Sequence, residues 1–213
     1  MLDYKGVIFD LDGTLLDSMQ IWEEIDIMFL SKRGVDVPDD YMHSIAHLSP
    51  YDTAIYTIER FGLKDTPEEL ISEWVELALN AYAEAPLKAG VYEYINYLRA
   101  NNIKISIATA TVSAIVKSVL KAKNLEDSID YVTVVSEVKN GKGHPDIYLK
   151  CAEKMGLQAE ECIVFEDILK GVQGAKKGNF TVAAMYDKHS ESNAEEIKAL
   201  ADYYIYDFKE MIK

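Results

Sequence analysis

A long interval of purely helical signals separates the first strand of this chain from the second. Gly6-Val7-Ile8-Phe9 is a short apolar run that reads as a buried strand. The next stretch with strand character is 103–108, Ile103-Lys104-Ile105-Ser106-Ile107-Ala108. From Gly90 onward helices and strands alternate. Helices are expected at 91–100, 112–122, 146–155, 171–177, 193–200 and, at the end, 208–212. Strands are expected at 103–108, 131–135, 162–165, 180–185 and 203–205. Such alternation predicts a parallel sheet wrapped by helices. A crossover between parallel strands needs little more than about a dozen residues, helix included. The first strand therefore joins this sheet only if the residues between are an insertion with a structure of their own.

That insertion reads as four helices. Asp17-Ser18 can cap the first, with Met19, Trp22, Ile25, Phe29 and Leu30 apolar and Gly34 as its stop. Pro38-Asp39-Asp40 opens the second, which reaches about His47. Ser49-Pro50 opens the third, with Tyr51, Ile55, Ile58 and Phe61 on one face and Gly62 ending it. Thr66-Pro67-Glu68-Glu69 is a capping box with proline at the first helical position. It starts the fourth, through Leu70, Trp74, Leu77 and Tyr82, until Pro86-Leu87-Lys88-Ala89-Gly90 breaks the pattern. The expected organisation is an α/β core made of residues 1–15 and 87–213, with a helical bundle of residues 16–86 inserted as a cap. The tethers would lie near Leu15-Leu16 and Pro86-Leu87.

Composition narrows the partners. The chain has 213 residues, 49% of them hydrophobic, and a formal net charge of -14. A chain so acidic repels nucleic acid and anionic membrane surfaces, so neither is an expected partner. Any phosphate site must be made positive locally. Cys151 and Cys162 show neither metal spacing nor a disulfide framework, which fits a reducing cytoplasm. Met1-Leu2-Asp3-Tyr4-Lys5 has no signal-peptide pattern, and no apolar run approaches a membrane span of about 20 residues.

In open parallel sheets, ligands bind beyond the carboxyl ends of the strands. The first strand ends in Asp10-Leu11-Asp12-Gly13-Thr14, two acids on the same side of the chain followed by a glycine. The strand at 103–108 is followed by Thr109-Ala110-Thr111. The loop after 131–135 holds Lys139, Lys142 and His144, and the strand at 162–165 leads into Glu166-Asp167. Four carboxylates gathered at one edge repel one another unless compensated. A Mg²⁺ ion, which prefers carboxylate and carbonyl oxygen, would offset that repulsion. A lysine and a hydroxyl beside it make a seat for phosphate.

These motifs, in this order, resemble the haloacid dehalogenase superfamily of phosphohydrolases, in particular the subfamily of β-phosphoglucomutase and phosphoglycolate phosphatase. Asp10-Leu11-Asp12-Gly13-Thr14 is similar to the first motif and Thr109 to the second. Lys142-Gly143-His144-Pro145-Asp146 is similar to the third, and Phe165-Glu166-Asp167 with Gly171 and Ala175 to the fourth. The resemblance implies a Rossmann-like core under a helical cap. It also implies a phosphoaspartyl mechanism, with Asp10 as nucleophile and Asp12 as acid and base. Thr109, the Ala110 amide and Lys142 would hold the phosphoryl group. Asp10, the Asp12 carbonyl, Asp167 and, directly or through water, Glu166 would bind Mg²⁺. The substrate would be a small phosphorylated metabolite.

The chain departs from the family pattern at Ile168, where relatives often carry a small hydroxyl residue, and at Gly143, where they usually carry proline. His43 and His47 stand four residues apart in the cap without a visible third ligand, and His47 is a candidate for substrate selection. Trp22 and Trp74 read as packing residues of the cap. Two alternatives to a phosphatase remain. A sugar phosphomutase would want basic residues around Ala46-His47-Leu48-Ser49-Pro50, where His47 alone qualifies. A non-catalytic phosphate-binding scaffold also gathers acids, a threonine and a lysine at strand ends.

Overall fold

The computed structural model describes residues 4–212. Met1-Leu2-Asp3, part of the segment read above as carrying no signal pattern, lie outside the described residues. Strand β1 (Gly6–Phe9) is buried along its whole length, as a four-residue apolar run with no alternation requires. It is flanked by β2 (Lys104–Thr109) and β4 (Cys162–Glu166). β3 (Tyr131–Val134), β5 (Thr181–Met185) and β6 (Tyr203–Ile205) complete a parallel sheet in the order β3-β2-β1-β4-β5-β6. The order reverses between β1 and β4, the kind of point at which open α/β sheets bind ligands.

Side chains alternate across the sheet. Val7, Phe9, Ile163 and Phe165 face one side, where Phe9 stacks on Phe165 with ring centres 5.1 Å apart and both meet Tyr94 and Phe208. Ile8, Val164, Val182 and Ala184 face the other, packed with residues of α7 (Asp146–Met155) and α8 (Leu169–Lys177). Helices α5 (Val91–Ala100) and α6 (Ser113–Ala122) cover the first side. The helix expected at 208–212 is instead a 3-10 turn, Phe208–Met211. Asp207 accepts from the Lys209 N–H while Glu210 reaches back to the Asp207 N–H, so the two side chains satisfy the donors at the start of this single turn.

Helices α1 (Met19–Ser31), α2 (Tyr41–Ile45), α3 (Pro50–Phe61) and α4 (Pro67–Glu84) lie between β1 and α5. Ile25, Phe29, Leu30, Leu70, Trp74 and Ala78 are buried among them. The capping box at Thr66 forms as expected, and Gly62 ends α3 in the left-handed conformation. α1 departs from expectation at its start. Ser18 occupies the N-cap position, yet its hydroxyl makes no cap bond and turns to Asp12 instead. The two connecting strands run side by side: Leu16 bridges Leu87, the Asp17 N–H donates to the Pro86 carbonyl at 2.9 Å, and the Lys88 N–H donates to the Leu15 carbonyl at 2.9 Å. Lys88 then ion-pairs with both Asp17 and Asp187, fastening the connection to the loop after β5.

Candidate active site

The strand ends do converge. Asp10 follows β1 directly, its N–H still bonded to the Phe165 carbonyl at 2.9 Å, so the carboxylate is carried by the sheet itself. Asp10, Asp12, Thr109, Ala110 and Lys142 line one cavity of about 130 Å³, whose roof comes from α1 to α4. Lys142, 2% exposed, forms an ion pair with Asp10 and donates to Glu166 Oε1 at 2.7 Å. Lys139, on the same loop, lies in a separate polar cleft. Gly174 makes room for this arrangement, since a β-carbon there would fall 1.9 Å from the Lys142 carbonyl oxygen.

Glu166 is held on every side. Its Oε1 also accepts from the Tyr148 hydroxyl at 2.8 Å, and its Oε2 accepts from the N–H groups of Asp167 at 3.1 Å and Ile168 at 3.4 Å. Neither Glu166 nor Asp167 caps α8 by its side chain. Asp167 Oδ1 accepts from the Thr14 hydroxyl at 2.9 Å, while its Oδ2 is buried without a hydrogen-bond partner. Gly13 stands at φ +74° against this carboxylate, where a β-carbon would meet Asp167 Oδ2 at 2.2 Å.

Oxygens of Asp10, Glu166 and Asp167 lie within 4.8 Å of one another, all buried. Burial, followed by repulsion from Glu166 and Asp10, pushes the Asp167 carboxyl well up. Burial also raises Asp10, aided by Glu166 and Asp12 and opposed by Lys142. Burial alone would lower Lys142, but the Asp10 and Glu166 carboxylates outweigh it and keep the ammonium charged. One lysine thus faces three carboxylates in a low-dielectric site. An all-oxygen, acidic donor set with one orphaned oxygen fits a hard divalent cation.

Asp12 lies outside that cluster, and three hydroxyls hold its carboxylate. Ser18 donates to Oδ1 at 2.7 Å, Thr111 to Oδ2 at 2.5 Å, and Tyr82 to Oδ1. Thr109 is fully buried, and its hydroxyl accepts from the Thr111 N–H at 3.0 Å, which shapes the turn after β2. His47 is not among the described residues of the cavity wall. Its side chain joins the cleft of Lys139, His144 and Lys170, and its carbonyl accepts from the Lys142 N–H at 3.3 Å. Trp22 and Trp74, read as packing residues, also line the cavity.

Ser18, Tyr82, Thr111 and Tyr148 touch the candidate catalytic groups, yet sequence reasoning assigns none of them such a place. Ser18 carried a cap signal, and Tyr82 and Tyr148 fell on the buried faces of helices. A hydroxyl on an otherwise apolar helical face was the one hint available, because a buried phenol needs a partner.

Comparison with known proteins places the chain in a family. Residues 7–185 match the family model of haloacid dehalogenase-like hydrolases. A phosphorylated carbohydrates phosphatase of Thermotoga maritima is 29% identical over 174 residues, covering 81% of this chain and 80% of the relative. Fructose-1-phosphate phosphatase YqaB of Escherichia coli is 28% identical over 177 residues, covering 81% and 92%. CbbY from Rhodobacter sphaeroides, solved in complex with phosphate, shares the fold with a TM-score of 0.85 at 21% identity, covering 98% of this chain and 96% of its own. The chain belongs to the haloacid dehalogenase-like hydrolase family.

Proposed function

We propose that this hydrolase is a Mg²⁺-dependent phosphatase of small phosphorylated metabolites that works through a phosphoaspartyl intermediate, under a cap formed by residues 16–86. The observation that carries the reading is the buried ion pair of Lys142 with Asp10, in a cavity that also holds Asp12 and the Thr109-Ala110 turn. The Asp10 carboxylate attacks phosphorus and displaces the alkoxide, which takes a proton from Asp12. Asp12 then removes a proton from water, which attacks the same phosphorus, releases inorganic phosphate and restores Asp10. Thr109, the Ala110 N–H and Lys142 bind the phosphoryl oxygens, so that charge is stabilised by groups already in place.

Asp10, the Asp12 carbonyl and Asp167 would hold the Mg²⁺. Glu166, whose four acceptor bonds are already filled, fits a role through water better than direct ligation. When bound, the ion would neutralise phosphoryl charge and fix the ester for in-line attack. Relatives named for phosphorylated carbohydrates and fructose 1-phosphate support a sugar or polyol phosphate as substrate. A phosphomutase would need a cation overhead for a second phosphate. The described cavity residues of 16–86 are Met19, Trp22, Asp26, Met42, Ile45, Ala46, Leu48, Pro50, Thr53, Ile71, Trp74 and Val75, with no lysine, arginine or histidine.

The test is hydrolysis of an aryl phosphate and a panel of sugar phosphates with Mg²⁺, with chelator, and with Asp10→Asn. The expected result is turnover that chelator and Asp10→Asn each abolish. Turnover surviving Asp10→Asn would overturn the mechanism.

A further inference from the structure

We infer that Asp26 and Trp74 are specificity-determining residues that bind hydroxyl of the substrate's leaving group, selecting neutral, hydroxylated phosphate esters over those with a second anion. This rests on the phosphate-ester reading above and deepens it. Asp26 sits on α1 and Trp74 on α4, and both line the cavity shared with Asp10 and Asp12. Asp26 is 3% exposed and Trp74 6%, yet Asp26 Oδ2 and Trp74 Nε1 have no hydrogen-bond partner. A buried carboxyl without a partner is costly, and a buried indole N–H ordinarily finds an acceptor. Two such groups on the wall of one cavity point to a ligand that answers both.

The chemistry of that ligand follows from what each atom lacks. Asp26 Oδ2 wants a hydrogen-bond partner, a donor once the carboxyl is ionised, and Trp74 Nε1 wants an acceptor. A hydroxyl is both at once, so the hydroxyls of a polyol suit the two groups. An ammonium answers Asp26 and leaves the indole N–H stranded. Above pH 7, where Asp26 is ionised, a second phosphate or a carboxylate answers the indole but is repelled by Asp26 in a cavity whose described lining holds one cation, Lys142, already engaged by Asp10 and Glu166. Tyr41, the ionisable neighbour of Asp26, shares its hydroxyl with Thr57 at 2.7 Å. Burial pushes the Asp26 carboxyl up, to about 7, as expected where no cation compensates it.

The test compares four esters of one carbon skeleton: a polyol phosphate, the alkyl phosphate without hydroxyls, the ω-carboxylated ester and the bisphosphate. The wild-type protein is expected to favour the polyol ester in kcat/KM by at least about tenfold. Asp26→Leu and Trp74→Phe should each shrink that ratio toward one, mainly through KM. Asp26→Asn keeps the shape and an acceptor oxygen, so it should fall between wild type and Asp26→Leu, an order that mere packing does not produce. Calorimetric binding of the same esters to Asp10→Asn protein gives the ratio without turnover. A ratio near one in the wild type, a ratio unchanged in the variants, or a preference for the second anion would overturn the inference alone. Neither binding nor turnover of any ester would overturn the phosphatase reading and this inference with it.

Discussion

Tyr82, on the last full turn of α4, donates its hydroxyl to the carboxylate of Asp12, which follows β1. The bond ties α4 to the segment that follows β1, across the chain from residue 82 to residue 12. Burial and the Asp12 charge hold the phenol well above its ordinary pKa, so it remains a donor. Ser18 and Thr111 complete the grip from α1 and from the turn after β2. The orientation of the proposed acid and base therefore depends on where the helices sit.

Tyr82→Phe deletes one bond to a carboxylate while keeping the ring packed on Trp22. The expected result is a fall in kcat of about 10- to 100-fold with a small change in KM, the size of one hydrogen bond to a charged group. Steady-state kinetics on an aryl phosphate and on a sugar phosphate check it. The aryl ester should suffer less, because its leaving group needs less protonation.

Lys142→Met removes the one ammonium between two buried carboxylates. Breaking a buried pair from one side leaves an uncompensated charge and costs about 3–5 kcal/mol. Denaturant unfolding should show that loss together with loss of turnover. Lys139→Met, at an exposed position in the neighbouring cleft, should show neither.

Mg²⁺ should raise the melting temperature, since an ion bound by the folded chain stabilises it by about 2.7 kcal/mol at a hundred times its dissociation constant. Asp167→Asn, which takes away the orphaned buried oxygen, should abolish the shift while leaving the apo protein at least as stable. A thermal scan with and without the ion distinguishes the two proteins.

The α/β architecture is legible because alternation and short apolar runs specify a parallel sheet, and the strand-end rule points to Asp10, Asp12, Thr109, Lys142 and Asp167 from the sequence alone. Boundaries shifted by a residue or two. Thr109 belongs to β2 because it still pairs with Val134 of β3. What stayed hidden was what a buried helical face is buried against. Helical spacing marked Trp22, Trp74 and Tyr82 as inward-facing, but inward meant the cavity for the first two and Asp12 for the third. Asp26 gave still less, because one acid among apolar neighbours reads as a solvated position until burial is seen.

Asp26 also makes stability depend on pH. Its carboxyl is raised from 3.8 to about 7 by burial, so between those values the folded chain holds a proton that the unfolded chain has released. Stability therefore falls as pH rises from about 4 to about 7 and levels off above, by about 4 kcal/mol in all. Asp26→Asn removes this slope. Melting temperatures of the two proteins should converge near pH 4 and diverge most above pH 7, with the variant the more stable there.

The phosphoaspartyl step is tested most directly by trapping. Asp12→Asn protein, mixed with an aryl phosphate whose leaving group needs no proton, should complete the first transfer and stall before the second. Acid quench and mass spectrometry of the peptide bearing Phe9-Asp10-Leu11 should then find one phosphoryl group on Asp10. Wild-type turnover with no phosphoryl group trapped on the variant, or with it found on another side chain such as His144, would contradict the account.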